Sequence, residues 1–164
     1  MSPEQFISLI QNVQEPLRRF LCVLCRGDAD KADDIAQDTF MKAFLAIDSF
    51  KEQSWLNTWI FKIGYNCYVD KVRKEAKLKV EDISSGSVCI PSDERADDRF
   101  KYEALYSAID ILSNHEKAVI LLFYKEGMSI KDIASVTGMT EANVKVSLFR
   151  GRNHIKEQLE NGDR

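Results

Sequence analysis

The sequence predicts an all-α protein: two small helical domains joined by a flexible acidic linker. Three observations predict it. Apolar residues recur at three- and four-residue spacing through most of the chain. Glycine and proline are scarce, seven and three among 164 residues, so turns are few. The periodicity fails in one long stretch, VEDISSGSVCIPSDERADD, which is acidic and holds several serines, a Gly and a Pro. A break of about twenty residues is longer than an ordinary loop. It therefore divides domains at 1–79 and 99–164, with the linker at 80–98. By itself the break could also be a plain solvated tether.

In the first half, Phe6, Ile10, Val13, Leu17, Leu21 and Leu24 form one helical stripe. Pro16 would kink this helix or mark a boundary. Asp28 or Asp30 can cap the next helix, whose stripe is Ile35, Phe40, Ala43, Phe44 and Ile47. After a loop reading DSFKEQS, a third helix covers residues 55–76. In the second half a helix covers residues 98–112. Ser113 and Glu116 have capping-box spacing and open a helix that ends at Gly127. Ser129 and Asp132 resemble a second box. Gly138 makes a turn, and Thr140 can cap the last helix.

Composition excludes several classes. Apolar and charged residues make up 45% and 30%, ordinary for a globular chain and too apolar for wholesale disorder. No apolar run is long enough to span a membrane, and the N-terminus lacks the pattern of a signal peptide, so the expected compartment is the cytoplasm. The C-x-x-C of Cys22 and Cys25 lies inside the apolar run FLCVLC with no second pair of ligands. Helical core is its favoured reading, with metal or redox use as the alternative. No phosphate-binding Gly loop, zinc-binding H-E-x-x-H or nucleophile–base pair is visible, so no catalytic residue, metal or cofactor is expected.

The net charge of −3 does not announce a polyanion partner, but its distribution does. Residues 28–38 carry five Asp and one Lys, whereas residues 62–79 carry six basic and two acidic side chains. Residues 145–156 carry four basic side chains and no acid. Local patches are what a nucleic acid meets.

The second patch follows a short helix and a turn at Gly138, which makes a helix-turn-helix candidate. Val144, Leu148, Gly151 and Ile155 form one stripe, expected to pack on Ile130, Ile133 and Ala134, with Gly151 permitting close approach. Lys145, Arg150, Arg152 and Lys156 lie off it and can reach phosphates or base edges. A solvated basic face on a helical hairpin is the simpler alternative.

In the first patch, WIFKIGYNCYVDKVRK, a helical wheel places Leu56, Ile60, Ile63, Gly64 and Cys67 on a core face. Phe61, Tyr65, Tyr68 and Val72 widen the apolar arc, so the helix should be packed on two sides. Trp55, Trp59, Lys62, Asn66 and Arg73 share the narrow remaining surface. Stacking rings, cations and an amide are the chemistry of a single-strand binder. An ordinary structural helix and a membrane-surface helix are the competing readings.

Taken in order, DDIAQDTFMKAF, WIFKIGYN and LSNHEKAVILLFYKEGMSIKDIASVTGMTEANVKVSLFRGR resemble a bacterial RNA polymerase sigma factor of the extracytoplasmic-function, sigma-70-like family. The resemblance covers nearly the whole chain. It implies a sigma domain 2 helical bundle before the linker and a sigma domain 4 helix-turn-helix after it. It further implies a promoter-specificity factor that binds core polymerase, recognises −35 and −10 elements and helps melt the −10 strand. Asp34, Gln37, Asp38, Phe40 and Lys42 would meet the β′ clamp helices. Trp59, Lys62, Asn66 and Arg73, with Lys51 and Ser54 of the preceding loop, would hold the melted −10 strand. Thr140, Asn143, Lys145, Ser147, Phe149, Arg150 and Arg152 would serve the −35 element. The implied partners are core RNA polymerase through its β′ clamp helices and β flap, promoter DNA, and a membrane-anchored anti-sigma protein. The free factor would be monomeric.

The sequence departs from the family's usual V-[KR]-S-R-[LI]-x-R-A-R at VKVSLFRGR. Val146 stands at the usual Ser and Ser147 at the usual Arg, so the side chains that would meet base edges at these two positions differ from the family's. Lys117 replaces the usual Arg in the preceding motif. No further domain is expected after the helix-turn-helix, an expectation that favours a separate anti-sigma regulator over a fused one. An autonomous helix-turn-helix regulator is the rival function, but it leaves the Trp59, Lys62 and Asn66 face unexplained.

Overall fold

A computed structural model describes residues 2–50, 56–78 and 99–162. The chain forms two compact units, Met1–Cys89 and Ile90–Arg164. The first contains α1 (Pro3–Leu24), α2 (Ala29–Leu45), a single 3-10 turn (Ile47–Ser49) and α3 (Leu56–Leu78). Each of these three α-helices packs on the other two.

Helix α1 starts in a full capping box. The Ser2 hydroxyl accepts from the Gln5 amide at 3.2 Å, and the Gln5 side chain accepts from the Ser2 amide at 3.0 Å. The helix runs through Pro16 rather than stopping there. An interior Pro costs about 3 kcal/mol. Burial of Val13, Leu17, Phe20 and Leu21 around it offsets that cost, since each large apolar side chain contributes about 1.5–3 kcal/mol. Arg26 and Gly27, with φ of 56° and 85°, then turn the chain. Of the two possible caps for α2, Asp28 serves, accepting from the Lys31 amide at 3.1 Å.

The buried stripe of α2 differs from the expected one. Ala32, Ile35, Ala36, Thr39 and Ala43 face the core, whereas Phe40 and Ile47 are half-buried and Phe44 is exposed. Small side chains let α2 lie close to its neighbours, and the large rings are left at the margin. Phe44 rests edge-on against Phe6 there, with ring centroids 5.4 Å apart. Thr39 is buried because its hydroxyl donates to the Ile35 carbonyl at 2.7 Å.

The second unit contains α4 (Arg99–Asp110), α5 (Asn114–Ile120), a π-helical turn (Leu121–Lys125), α6 (Ile130–Thr137) and α7 (Glu141–Gly162). Ser113 and Ser129 cap α5 and α6 as expected, accepting from Glu116 and Asp132 amides at 3.3 and 3.1 Å. The single helix expected up to Gly127 widens instead into the π turn, with both Leu121 and Leu122 buried. Lys117 is fully buried in α5, with Nζ 3.7 Å from Asp110 Oδ1. Gly138, at φ 76°, ends α6 in the left-handed conformation that the expected turn requires.

Candidate nucleic-acid interface

The exposed face of α3 is set by how tightly its other sides are held. Ile60, Phe61, Tyr65, Cys67 and Tyr68 are buried, so the helix is packed on two sides as the apolar arc predicts. Phe61 meets Phe20 at a centroid distance of 5.3 Å. The Tyr68 hydroxyl donates to the Leu24 carbonyl at 3.1 Å and ties α3 to the end of α1. Burial pushes the Tyr68 hydroxyl up to about 12 and raises Tyr65 too. Gly64 is buried where a Cβ would come 2.9 Å from Leu17 Cδ1, which sets how closely α3 approaches α1.

Lys62, Asn66 and Arg73 are exposed together on the remaining face. Trp59 is half-buried, its ring 5.0 Å from that of Phe50. This indole is therefore partly structural, and Phe50 orients what it shows to solvent. Asp70 and Lys77, which the motif-based selection did not include, are exposed on the same face by helical spacing. Lys51, Ser54 and Trp55 lie outside the described residues.

On α2, Asp34, Gln37 and Asp38 are exposed along one face. Lys42 is exposed on its flank, and the half-buried Phe40 lies off it by helical spacing. Sequence reasoning missed two members of this face: Met41, 66% exposed, and Leu45, 79% exposed. Their signal was spacing, since 34, 38, 41 and 45 follow the four-then-three rhythm of one helix face. Arg18 Nε holds Asp33 Oδ1 at 2.7 Å, and the bond raises the Arg18 pKa. Lys31 holds Glu75 at 2.6 Å and Lys71 holds Asp34 at 3.5 Å, joining α2 to α3.

On α7, Thr140 caps the helix as expected, its hydroxyl accepting from the Asn143 amide at 3.1 Å. Val144, Leu148 and Gly151 are buried and Ile155 is half-buried. The stripe contacts α6, where Ile133 is buried while Ile130 and Ala134 are half-buried. The closest approach, however, is to α5: a Cβ on Gly151 would fall 2.8 Å from Ile120 Cγ1. The motif-based expectation named only α6, because the spacing of α7 says which face is buried and not which helix covers it.

Asn143, Lys145, Phe149 and Arg150 are exposed, and Ser147 is half-buried. Arg152 is exposed but not unattached. Its guanidinium lies 5.8 Å from the Phe123 ring centroid and 5.5 Å from that of Tyr124. His154 Nδ1 lies 3.1 Å from Glu116 Oε2. His115 is exposed, so both histidines are at the surface.

The two cysteines of the C-x-x-C differ: Cys22 is disulfide-bonded, whereas Cys25 is not, so they do not form a dithiol pair with each other. Cys25 is a free, buried thiol whose pKa burial pushes up to about 11, away from the low values that make a thiolate reactive. Among the described residues no group of three or more His, Cys, Asp or Glu could hold a metal ion, and no helix is long and apolar enough to cross a membrane.

Known proteins share this arrangement. Residues 9–78 match the Sigma-70 region 2 family and residues 102–155 match the Sigma-70, region 4 family. The chain is 29% identical over 145 residues to the ECF RNA polymerase sigma factor EcfG of Rhodopseudomonas palustris, covering 88% of this chain and 80% of that one. It is 27% identical over 156 residues to the ECF sigma factor SigM of Bacillus subtilis, covering 94% of each. Among solved structures it resembles the sigma factor RpoE of Bartonella quintana, crystallised with the anti-sigma factor NepR. That match has a TM-score of 0.81 and 29% identity over 96% of this chain and 98% of that one. CnrH, solved with the cytosolic domain of CnrY, shares the fold at a TM-score of 0.71 and 24% identity, covering 98% of this chain and 90% of that one.

Proposed function

Because the chain belongs to the extracytoplasmic-function group of sigma-70-like factors, and is thus a promoter-specificity factor of transcription initiation, we propose how its faces divide that work. The factor binds core RNA polymerase, reads −35 as duplex and −10 as separated strand, and performs no catalysis of its own. The observation that carries this is the outer face of α7: capped by Thr140, held from behind by α5 and α6, and free of acidic side chains between residues 142 and 156.

Residues 99–164 act at −35. Asn143, Lys145, Ser147, Phe149 and Arg150 lie at the duplex, with Thr140 at the helix start. Arg152, braced on two rings, serves phosphate rather than base edges. Residues 1–79 act at −10. Asn66, Lys62, Arg73 and the exposed part of Trp59 capture unpaired bases and their backbone, with Lys51 and Ser54 from the preceding loop. A base stacked on Trp59 supplies about 1–3 kcal/mol toward strand opening, and the cations hold the backbone beside it. Asp34, Gln37 and Asp38, flanked by Phe40 and Lys42 and extended by Met41 and Leu45, meet the β′ clamp helices, and the second domain meets the β flap. Residues 80–98 link the two.

The factor is monomeric when free and works in the cytoplasm, where the polymerase is. RpoE was solved with the anti-sigma factor NepR, which supports an anti-sigma protein as a partner here; we propose that this partner is membrane-anchored. Run-off transcription with core polymerase on a genomic promoter pool tests the proposal. Factor-dependent transcripts from a shared promoter pattern are expected. A stable dimer that binds duplex DNA and ignores core polymerase would replace it with an autonomous regulator.

A further inference from the structure

Within that reading of α7 as the −35 helix, on which this inference rests, we infer that Val146 reads thymine by packing on its C5-methyl group. Val146 lies opposite the buried Val144–Leu148–Gly151 stripe by helical spacing and is 44% exposed. Phe149, one turn further on, is 64% exposed, and Ala142, one turn before, is exposed too. The outermost line of the helix is therefore apolar from Ala142 to Phe149 and becomes polar at the exposed Asn153.

What covers that line is decided by its flanks. Lys145, Arg152 and Lys156 run along one side, Asn143 and Arg150 along the other, and no acid lies between residues 142 and 156. A protein-docking patch would be broad and rimmed by mixed polar groups. A narrow apolar line with three cations on one side and Asn143 and Arg150 on the other, and no acid on either, fits a groove walled by phosphates. Inside the major groove the one apolar feature on a base edge is the thymine methyl.

Valine suits that contact. It has no hydrogen-bonding group for a base or a phosphate, so direct readout through it is apolar contact. Its branched side chain is stiff at χ1, so its two methyl groups are held in place before binding. Ser, usual here in the family, presents a hydroxyl and no methyl group. Valine at this position can therefore offer a base edge only methyl groups, where a Ser would offer a hydroxyl.

The test uses holoenzyme assembled with core polymerase. Promoter duplexes randomised across the −35 segment are selected for binding. The winners are then remade with deoxyuridine in place of thymine in that segment alone, which deletes the methyl groups. The wild-type factor should lose about four-fold in affinity per contacted thymine, the worth of one buried methyl group. Val146→Ser should bind thymine and deoxyuridine duplexes equally, whereas Arg150→Ala should bind both more weakly and keep the wild-type ratio. A selected motif to which wild type and Val146→Ser respond alike would overturn the inference and leave −35 reading intact. Selection of no −35 motif would overturn both. Loss of an anti-sigma complex in Val146→Ser, with methyl sensitivity unchanged, would make the line a protein-docking surface instead.

Discussion

Gly151 of α7 and Ile120 of α5 meet so closely that a Cβ on Gly151 would lie 2.8 Å from Ile120 Cγ1 and 3.1 Å from its Cδ1. Ile120 is buried and cannot swing freely away. The contact fixes the depth at which α7 sits, and with it the pose of the outer face. Gly151→Ala gains about 1 kcal/mol of helix propensity but costs about 1–3 kcal/mol of overpacking. We expect a net loss of about 1 kcal/mol in urea unfolding. The same change made in Ile120→Ala should stabilise, since the space is then open. Stabilisation in both backgrounds would show that the approach imposes no constraint.

Arg150 is exposed on the outer half of α7 with no acid near it in sequence. Arg150→Ala should cost about 1–3 kcal/mol in −35 duplex binding while leaving affinity for core polymerase unchanged. Filter binding at several salt concentrations measures the first and co-elution with core polymerase the second. A fall in core binding would make Arg150 structural.

Asn66→Ala should reduce open-complex formation by about tenfold, equivalent to one lost base contact of about 1.4 kcal/mol. Duplex binding at −35 should be unchanged. Permanganate footprinting beside a binding assay separates the two. Equal losses would count against a role in strand capture.

Met41 and Leu45 are large apolar side chains left in water beside Asp34 and Asp38. A double change to Ser should leave the thermal midpoint within a few degrees, because nothing buried is removed. Affinity for core polymerase should fall at least tenfold. Lys71→Ala removes only a half-exposed ion pair to Asp34 and should cost under about 1 kcal/mol of stability. Unchanged core affinity in the Met41 and Leu45 variant would confine the clamp contact to the acidic end of α2.

Alkaline solution should loosen the first unit. Burial raises Cys25 from 9.0 to about 11 and Tyr68 from 10.0 to about 12. The folded state keeps these protons where the unfolded chain has released them. Their contribution is therefore complete below pH 9 and is lost as pH rises through the folded values. The slope should be about 1.4 kcal/mol per pH unit for each group in its own window. Urea midpoints measured from pH 8 to 11 follow it, and Cys25→Ala should flatten the lower part. A midpoint independent of pH over that range would refute the assignment.

The sequence by itself determined the helices, the caps and the chemistry of the faces. Caps and helix periodicity are local, so Ser113, Ser129, Gly138 and Thr140 could be assigned from neighbours a few residues away. Motif order likewise carried the family. Tertiary structure decided which helix covers which face. Spacing showed that Gly151 is inward but not that Ile120 meets it, and it gave no reason for α2 to bury alanines while Phe44 stays outside. It could not show that α1 would run through Pro16, because the compensating burial comes from helices distant in sequence. Nor could it show Arg152 resting on Phe123 and Tyr124, or Trp59 leaning on Phe50. Those partners are chosen by packing, which depends on side-chain shape across the whole unit and leaves no local pattern in the chain.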